Sequence, residues 1–140
     1  MKIVDANVLV YAVNESSRAH AVSRAWLIAA LSGNEAVGLP WMNLLAFVRI
    51  TTNGRLFPQP LTATAALNTV RSWLASPVAV TPEPTSRHLE VLTTMLDKVG
   101  TAGNLTMHAH LGARATEHHA DIVTFDRDLE RFDVRIVIPE

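Results

Sequence analysis

The chain contains no cysteine. This absence excludes disulfide bonds, a thiolate nucleophile and zinc sites built on sulfur ligands, and it fits a protein of a reducing compartment. No stretch reaches the roughly 18 consecutive apolar residues that a membrane-spanning helix requires. Because the N-terminus begins with an apolar run typical of a strand, we expect no signal peptide. We therefore expect a cytoplasmic protein that has no membrane association.

A strong net charge is also absent. The formal net charge is −1 at pH 7, so the overall charge indicates no particular class of partner. Ten of the twelve basic residues are arginine, whose planar guanidinium is suited to binding phosphate. Any single arginine can equally lie on a solvated helix face. The length of 140 residues and the 49% of hydrophobic residues indicate one domain, residues 1–140, with its own core.

Short apolar runs alternate with helical patterns along the whole chain. This alternation predicts an α/β protein with a parallel sheet and helices on both faces. The strands are predicted at residues 2–4, 36–39, 78–80, 121–124 and 134–138. The helices are predicted at residues 7–13, 18–31, 41–52, 62–75, from a cap at Thr85 or Ser86 to 99, and 104–118, with a helical turn at 126–131.

Two of these helices carry specific predictions about burial. Helix 41–52 is apolar on nearly every side, a pattern that predicts a fully buried helix. In the helix that ends at residue 99, the spacing of four apolar residues predicts a stripe that faces the core. These residues are Leu89, Leu92, Leu96 and Val99.

Two aspartates directly follow predicted strands. Asp5 ends the first strand, and Asp126 lies just beyond the strand at 121–124. Ligands of parallel α/β sheets bind at the carboxyl ends of the strands, so we expect these carboxylates to lie close together. Two such carboxylates repel each other unless a cation lies between them, and oxygen ligands suit Mg²⁺ or Mn²⁺. Each aspartate could instead cap the helix that follows it, and for Asp128 this alternative is equally good.

Four stretches resemble, in order, the motifs of PIN-domain proteins, and more closely those of the VapC ribonuclease toxins of toxin–antitoxin pairs. Each motif alone is weakly specific, but together they span essentially the whole chain. The resemblance implies a three-layer α/β/α domain with a central parallel sheet of four to five short strands. The stretches are residues 2–9 (KIVDANVL), 39–49 with 52–58 (LPWMNLLAFVR, TNGRLFP), 103–111 (GNLTMHAHL) and 122–132 (IVTFDRDLERF).

The resemblance also implies a function. It implies the toxin of a type II toxin–antitoxin system, a Mg²⁺-dependent endoribonuclease that hydrolyses structured RNA, with Mn²⁺ as a possible substitute. The implied partners are a cognate antitoxin and the RNA substrate, and we also expect a homodimer. The catalytic acids of the family correspond to Asp5, Asp126 and Asp128.

Two positions depart from the family pattern. A glutamate on the third helix would fall near Ala46, which cannot bind a metal, although the amide oxygen of Asn43 lies one turn earlier. An aspartate of the third motif would fall on His108, which we expect to join Asp5 and Asp126 as a metal ligand. Imidazole suits Mn²⁺ or Zn²⁺ better than Mg²⁺, so this replacement predicts weak Mg²⁺ binding and reduced activity. A half-buried structural histidine is the alternative.

Other residues carry weaker predictions. Arg49, Arg55 and Arg127 are candidates for contacts with the RNA backbone. Several large apolar residues of the N-terminal half predict a groove that binds an amphipathic helix of the antitoxin. We assign three further histidines of the C-terminal half to surface or packing roles. The apolar residues are Trp26, Trp41, Leu44 and Phe47, and the histidines are His110, His118 and His119.

Two alternative functions remain. The absent helix glutamate and the histidine at position 108 favour a catalytically weakened PIN fold that acts as an RNA- or partner-binding module. A phosphate-transferring domain of the response-regulator kind also places acids at strand ends. That class requires a lysine near the last strand, and this chain has none there.

Overall fold

A five-stranded parallel sheet runs through the molecule. The computed structural model describes residues 1–140, and the strand order is β3-β2-β1-β4-β5. This confirms the predicted α/β class and the parallel sheet. The strands are β1 (Lys2–Val4), β2 (Val37–Gly38), β3 (Ala79–Val80), β4 (Asp121–Val123) and β5 (Ile136–Val137).

Helices cover both faces of this sheet. The helices are α1 (Ala6–Val13), α2 (His20–Leu31), α3 (Trp41–Thr51), α4 (Ala63–Leu74), α5 (His88–Val99) and α6 (Thr106–Glu117), with short 3-10 segments at Gly103–Leu105 and Arg127–Phe132. Helices α1 to α4 pack on one face, and α5, α6 and the second 3-10 segment pack on the other. None of the helices combines the length and the apolar character needed to cross a bilayer.

Alternation along the short strands divides the apolar residues between two cores. Ile3 and Ile122 are fully buried against α5 and α6, whereas Val4 and Val123 are fully buried against the α1 to α4 layer. Successive side chains of a strand point to opposite faces, so the last two residues of each central strand are both apolar and buried. The polar side chains that follow them lie at the carboxyl edge of the sheet.

The prediction that α3 is fully buried is wrong. One face, with Leu44 and Phe47, is completely buried, but the side chains of Trp41 and Leu45 are 45% and 58% exposed. The exposed face lines an open cleft, described below, instead of a second layer of protein. All-round apolarity predicted burial because sequence alone does not distinguish a core from a cleft.

The predicted core stripe of α5 is also wrong in part. Leu89 is 76% exposed, and the buried residues of this helix are Val91 and Met95. Met95 packs against Gly112 of α6, where the Met95 sulfur lies 3.4 Å from the position that a Cβ would occupy. The helix is rotated toward this close contact, which leaves Leu89 on the solvent side.

Candidate active site

Strand register brings the two predicted acids to one edge of the sheet. Ile3 pairs with Ile122 and Val4 pairs with Val123 in the parallel β1–β4 ladder. The next backbone bond runs from Asp5 N to Val123 O, at 2.9 Å. Asp5 therefore lies beside the residue that follows β4, and Asp126 lies two residues further on.

The carboxylate of Asp5 is held by three donors. Its Oδ1 accepts from the Ala6 amide at 2.7 Å, and its Oδ2 accepts from Thr124 Oγ1 at 2.7 Å and from Asn7 Nδ2 at 3.3 Å. Asp5 is thus the N-cap of α1 as well as a member of the site. Burial raises the pKa of Asp5 above its ordinary value, although the hydrogen bonds from Thr124 and Ala6 act to lower it. The anionic form is consequently destabilised, a condition that a nearby cation would relieve.

Thr124 links the two acids directly. This residue is fully buried, and its hydroxyl donates to Asp5 Oδ2 while it accepts from the Asp126 amide and from Asn7 Nδ2, each at 3.0 Å. Asn7 also accepts from the Phe125 amide at 3.4 Å. Sequence reasoning missed both residues. The only available signal was that each polar side chain lies within two residues of a predicted acid.

Asp126 is bound to the histidine of the third motif. His108 Nε2 lies 2.6 Å from Asp126 Oδ2, and Asp126 Oδ1 accepts from the Asp128 amide at 2.9 Å. Burial acts to raise the pKa of Asp126, but the hydrogen bonds from Asp128 and His108 and the charge of His108 outweigh it and lower the pKa. The second ring nitrogen of His108 is buried and has no hydrogen-bond partner. The structure thus brings Asp5, Asp126 and His108 to one place, and their role as metal ligands stays a prediction.

Three other predicted residues do not reach this place. The side chain of Asp128 is exposed and lies 3.7 Å from Arg131, so only its backbone contacts the site. Arg127 is exposed and pairs with Glu130 at 3.2 Å. Arg55 is exposed in the loop after α3. Their proposed roles in catalysis or RNA binding stay predictions.

An open cleft of about 450 Å³ lies in front of Asp5 and His108. Its floor is the N-terminus of α1, and its walls come from α3 and α6. Ala46 lines the cleft where the family's glutamate was expected, and so does Asn43, whose Nδ2 donates to Val4 O at 2.8 Å. The complete lining is Asp5, Ala6, Met42, Asn43, Leu45, Ala46, Arg49, Met107, His108 and Leu111.

The donor chemistry of the cleft fits a divalent cation bound mainly by carboxylates. No group of three or more His, Asp or Glu side chains is placed to ligate one ion. Mg²⁺ needs no such cage, because it keeps several of its waters and binds through one or two carboxylates together with a substrate phosphate. Asp5 and Asp126 supply that pair. Asn43 lines the same cleft, although its side chain is almost completely buried.

A second polar cluster lies on the opposite side of α6. Arg114 is 4% exposed and its guanidinium Nη2 lies 2.9 Å from His110 Nε2. His110 Nδ1 lies 2.8 Å from His88 Nε2, and His88 Nδ1 lies 2.5 Å from a carboxylate oxygen of Glu117. His110 therefore has the packing role that was predicted, but within a polar chain of four residues that the sequence did not indicate. His118 contacts the Glu83 carbonyl at 2.7 Å.

The chain is similar to proteins of one family along nearly its full length. A family model described as PIN domain matches residues 2–135. Ribonuclease VapC37 of Mycobacterium tuberculosis is 54% identical over 133 residues, which cover 95% of this chain and 92% of that relative. Ribonuclease VapC33 of the same species is 36% identical over 132 residues, which cover 94% and 92%.

Solved structures share the fold. The structure of VapBC2 from Rickettsia felis, bound to a DNA fragment from their promoter, matches with a TM-score of 0.70 at 14% identity and covers 99% of this chain and 98% of that chain. The structure of FitAcB from Neisseria gonorrhoeae matches with a TM-score of 0.62 at 17% identity and covers 97% and 96%. The family match and the relatives, together with this shared architecture, establish that the chain belongs to the PIN-domain family, among the VapC proteins.

Proposed function

We propose that this protein is the toxin of a type II toxin–antitoxin pair and a divalent-metal-dependent endoribonuclease. One observation carries the proposal: the half-buried Asp5 carboxylate is tied through the Thr124 hydroxyl to the backbone amide of Asp126, at the edge of an open cleft. Such a pair of carboxylates is suited to phosphodiester hydrolysis assisted by a metal. The relatives named ribonuclease VapC support the same activity.

Asp5 and Asp126 are the residues that would hold the cation, which we propose to be Mg²⁺ with Mn²⁺ as a substitute. When bound, the ion supplies polarisation of the scissile phosphate and a lowered pKa for the attacking water. Thr124 and Asn7 orient the Asp5 carboxylate through the hydrogen bonds described above. Arg49 lies in the wall of the cleft, where its guanidinium is available to bind a neighbouring phosphate of structured RNA.

A cleavage assay with purified chain and structured RNA tests this proposal. We expect cleavage that requires a divalent cation and is lost when a chelator is added. Asp5→Asn should abolish cleavage, because a neutral amide provides less charge for the cation, while the far-ultraviolet circular dichroism stays unchanged. Full cleavage activity of Asp5→Asn would show that Asp5 does not hold the cation, and absence of divalent-dependent cleavage by the unsubstituted chain would exclude the nuclease function.

A second candidate is a catalytically weakened PIN fold that binds RNA or a partner without efficient cleavage. The observations that favour it are the methyl group of Ala46 at the cleft wall and the hydrogen bond that joins His108 to Asp126. RNA binding without any divalent-dependent cleavage would select this function over the ribonuclease.

The proposed antitoxin partner requires an apolar docking surface. Of the four apolar residues considered for that surface, some of which had to be core, Leu44 and Phe47 are completely buried and belong to the core. Trp41 is exposed and lines a groove of about 440 Å³ between α3 and α4, together with Leu67 and Leu74. We propose that an amphipathic helix of the antitoxin binds there. Sedimentation of the free chain and of the complex tests the expected homodimer.

A further inference from the structure

The outer face of α3 is organised around the cleft and not around the core. Met42, Leu45, Ala46 and Arg49 follow one another at helical spacing and all line the cleft. The side chain of Leu45 is 58% exposed although the opposite face of the same helix is completely buried. A helix that only supported the sheet would carry polar residues on this side.

Helix α6 supplies a matching apolar surface across the cleft. Met107 is 56% exposed and lies next to His108 in the lining, and Leu111 closes the base of the wall. We call Met42, Leu45, Met107 and Leu111 the apolar wall. Exposed apolar side chains that are gathered at one site, beside charged groups, are typical of a binding surface. The apolar wall adjoins Asp5, so whatever binds there lies against the catalytic acids.

Arg49 adds an unpaired positive charge to this wall. Its side chain is exposed and forms no salt bridge, whereas Arg127, Arg131 and Arg135 each lie within 4.0 Å of a carboxylate. The surface therefore offers an extended apolar contact, a free guanidinium and a pair of carboxylates suited to a phosphate-bound cation. A ligand complementary to all three has flat apolar faces joined to phosphate groups. A nucleotide has this combination.

We propose that the apolar wall seats one unpaired nucleobase of the RNA, beside the scissile phosphate, and that Arg49 binds an adjacent phosphate. This inference rests on the proposed ribonuclease function and specifies its substrate. The base must be unpaired and unstacked, because the faces of bases in a duplex are covered by their neighbours. Methionine is flexible and polarizable, so the seat accepts different bases and adds affinity more than sequence specificity.

Binding to a cleavage-deficient protein tests the seat without depending on catalysis. Asp5→Asn protein is titrated with a fluorescein-labelled single-stranded oligoribonucleotide, with its duplex, and with versions that carry one abasic nucleotide at successive positions. We expect the single strand to bind about tenfold more tightly than the duplex. Leu45→Ala and Met107→Ala, added to this protein, should each weaken single-strand binding about five- to tenfold.

A matched control is available on another surface. Leu89→Ala removes an equally apolar side chain that is 76% exposed on α5, and it should leave RNA affinity unchanged. At one position of the oligonucleotide, removal of the base should also erase the effect of Met107→Ala, because the two partners of a contact couple in a double-mutant cycle. Thermal unfolding of each variant verifies that the fold is kept.

Three results would overturn the seat. The first is equal affinity for duplex and single strand. The second is an effect of Met107→Ala on RNA affinity that stays the same whichever nucleotide is abasic. The third is a set of variants that keep their RNA affinity but lose antitoxin binding, which would assign the cleft to protein docking. The ribonuclease function fails by a different measurement, namely absence of divalent-dependent cleavage by the unsubstituted chain. Cleavage that persists at full rate in Leu45→Ala and Met107→Ala would leave the ribonuclease in place and remove only the seat.

Discussion

His108 Nε2 lies 2.6 Å from Asp126 Oδ2, so the histidine of α6 is a hydrogen-bond partner of one of the two proposed catalytic acids. A carboxylate at this position of α6 would instead repel Asp126 until a cation joined the two. Because the Nε2 proton is donated to Asp126, that nitrogen ligates a metal only if the proton moves and the hydrogen bond is given up. His108 therefore neutralises part of the charge that would attract Mg²⁺.

We predict that His108→Asp raises Mg²⁺ affinity and RNA cleavage together. A unit of negative charge at a few ångströms from the ion contributes at least ~1.4 kcal/mol at an intermediate effective dielectric, so the gain in affinity should be roughly tenfold or more. The unsubstituted chain should prefer Mn²⁺ to Mg²⁺. Calorimetric titration of both metals into both proteins measures this, beside a cleavage assay.

His118→Asp provides the control for charge alone, because His118 caps the far end of α6. It should alter neither metal affinity nor rate. If His108→Asp behaves like this control, His108 is a structural residue, and the correspondence between residues 103–111 and the third motif of the family is wrong.

We predict that Thr124→Val lowers the cleavage rate at least tenfold while the protein stays folded. Valine has the shape of threonine but lacks the hydroxyl, which donates a hydrogen bond to the Asp5 carboxylate and accepts one from the Asp126 amide. Removing this group leaves the Asp126 amide without its acceptor, which should destabilise the fold by about 1–3 kcal/mol. Cleavage rate and denaturant unfolding, measured on the same preparation, separate the two effects.

Thr51→Val is the matched control for this prediction. Thr51 is also fully buried, and its hydroxyl donates only to the Phe47 carbonyl within α3, at 2.8 Å. The Thr51→Val protein should lose a similar amount of stability, with no loss of cleavage rate per folded molecule. Equal rates for Thr124→Val and Thr51→Val would show that the Thr124 hydroxyl does not position the acids.

The fold and the pair of acids could be predicted from the sequence for a physical reason. Parallel strands end at the same edge of a sheet, so two aspartates that each follow an apolar strand are brought together whatever the loops between them do. The predicted Asp5 and Asp126 lie at neighbouring strand ends for this reason. The two central strands were recognisable because the last two residues of each are apolar and buried, one on each face of the sheet.

The supporting contacts could not be predicted in the same way. Threonine is an ordinary strand residue, and only the register of β1 on β4 reveals that Thr124 lies beside Asp5. The exposed face of α3 has the composition of a core helix. The polar chain on α6 depends on how the loop before α5 packs against α6, a long-range contact with no local signal.

We predict that Leu67→Glu abolishes antitoxin binding without lowering stability. Leu67 is 48% exposed and lines the groove between α3 and α4 with Trp41. An apolar helix face that bound there would remove water from the new carboxylate without giving it a partner. The affinity for the antitoxin should therefore fall more than tenfold. Leu89→Glu, on the exposed side of α5, is the control. Calorimetric titration of both variants with the antitoxin, once it has been identified by co-purification, measures the effect, and equal antitoxin binding by both would place the antitoxin elsewhere.

The polar chain on α6 has a fixed direction of donation. Arg114 can only donate, so His110 accepts at Nε2 and carries its proton on Nδ1. His110 then donates to His88, and His88 donates to Glu117. In this arrangement each ring carries one N–H, and a proton added at His110 Nε2 would leave two donors, that ring and Arg114, facing each other. Burial, reinforced by the charge of Arg114, lowers the pKa of His110.

We predict that this row of polar side chains makes the protein less stable in mild acid. Because the pKa of His110 is lower in the folded protein, the unfolded chain binds more protons below the unperturbed pKa of about 6.5, and stability falls as pH falls through that value. Burial acts to raise the pKa of Glu117, but hydrogen bonds from Thr85 and His88 lower it overall, so its contribution is lost at still lower pH.

His110→Gln isolates the contribution of the histidine. Glutamine accepts from Arg114 and donates to His88 but does not titrate. Between pH 7 and 5, the free energy of unfolding should therefore fall less steeply in His110→Gln than in the unsubstituted chain. The difference in slope should be up to about 1.4 kcal/mol per pH unit. His118→Gln, outside the polar chain, should keep the original slope. Denaturant unfolding at a series of pH values measures these slopes, and an unchanged slope in His110→Gln would show that the acid sensitivity resides in other groups.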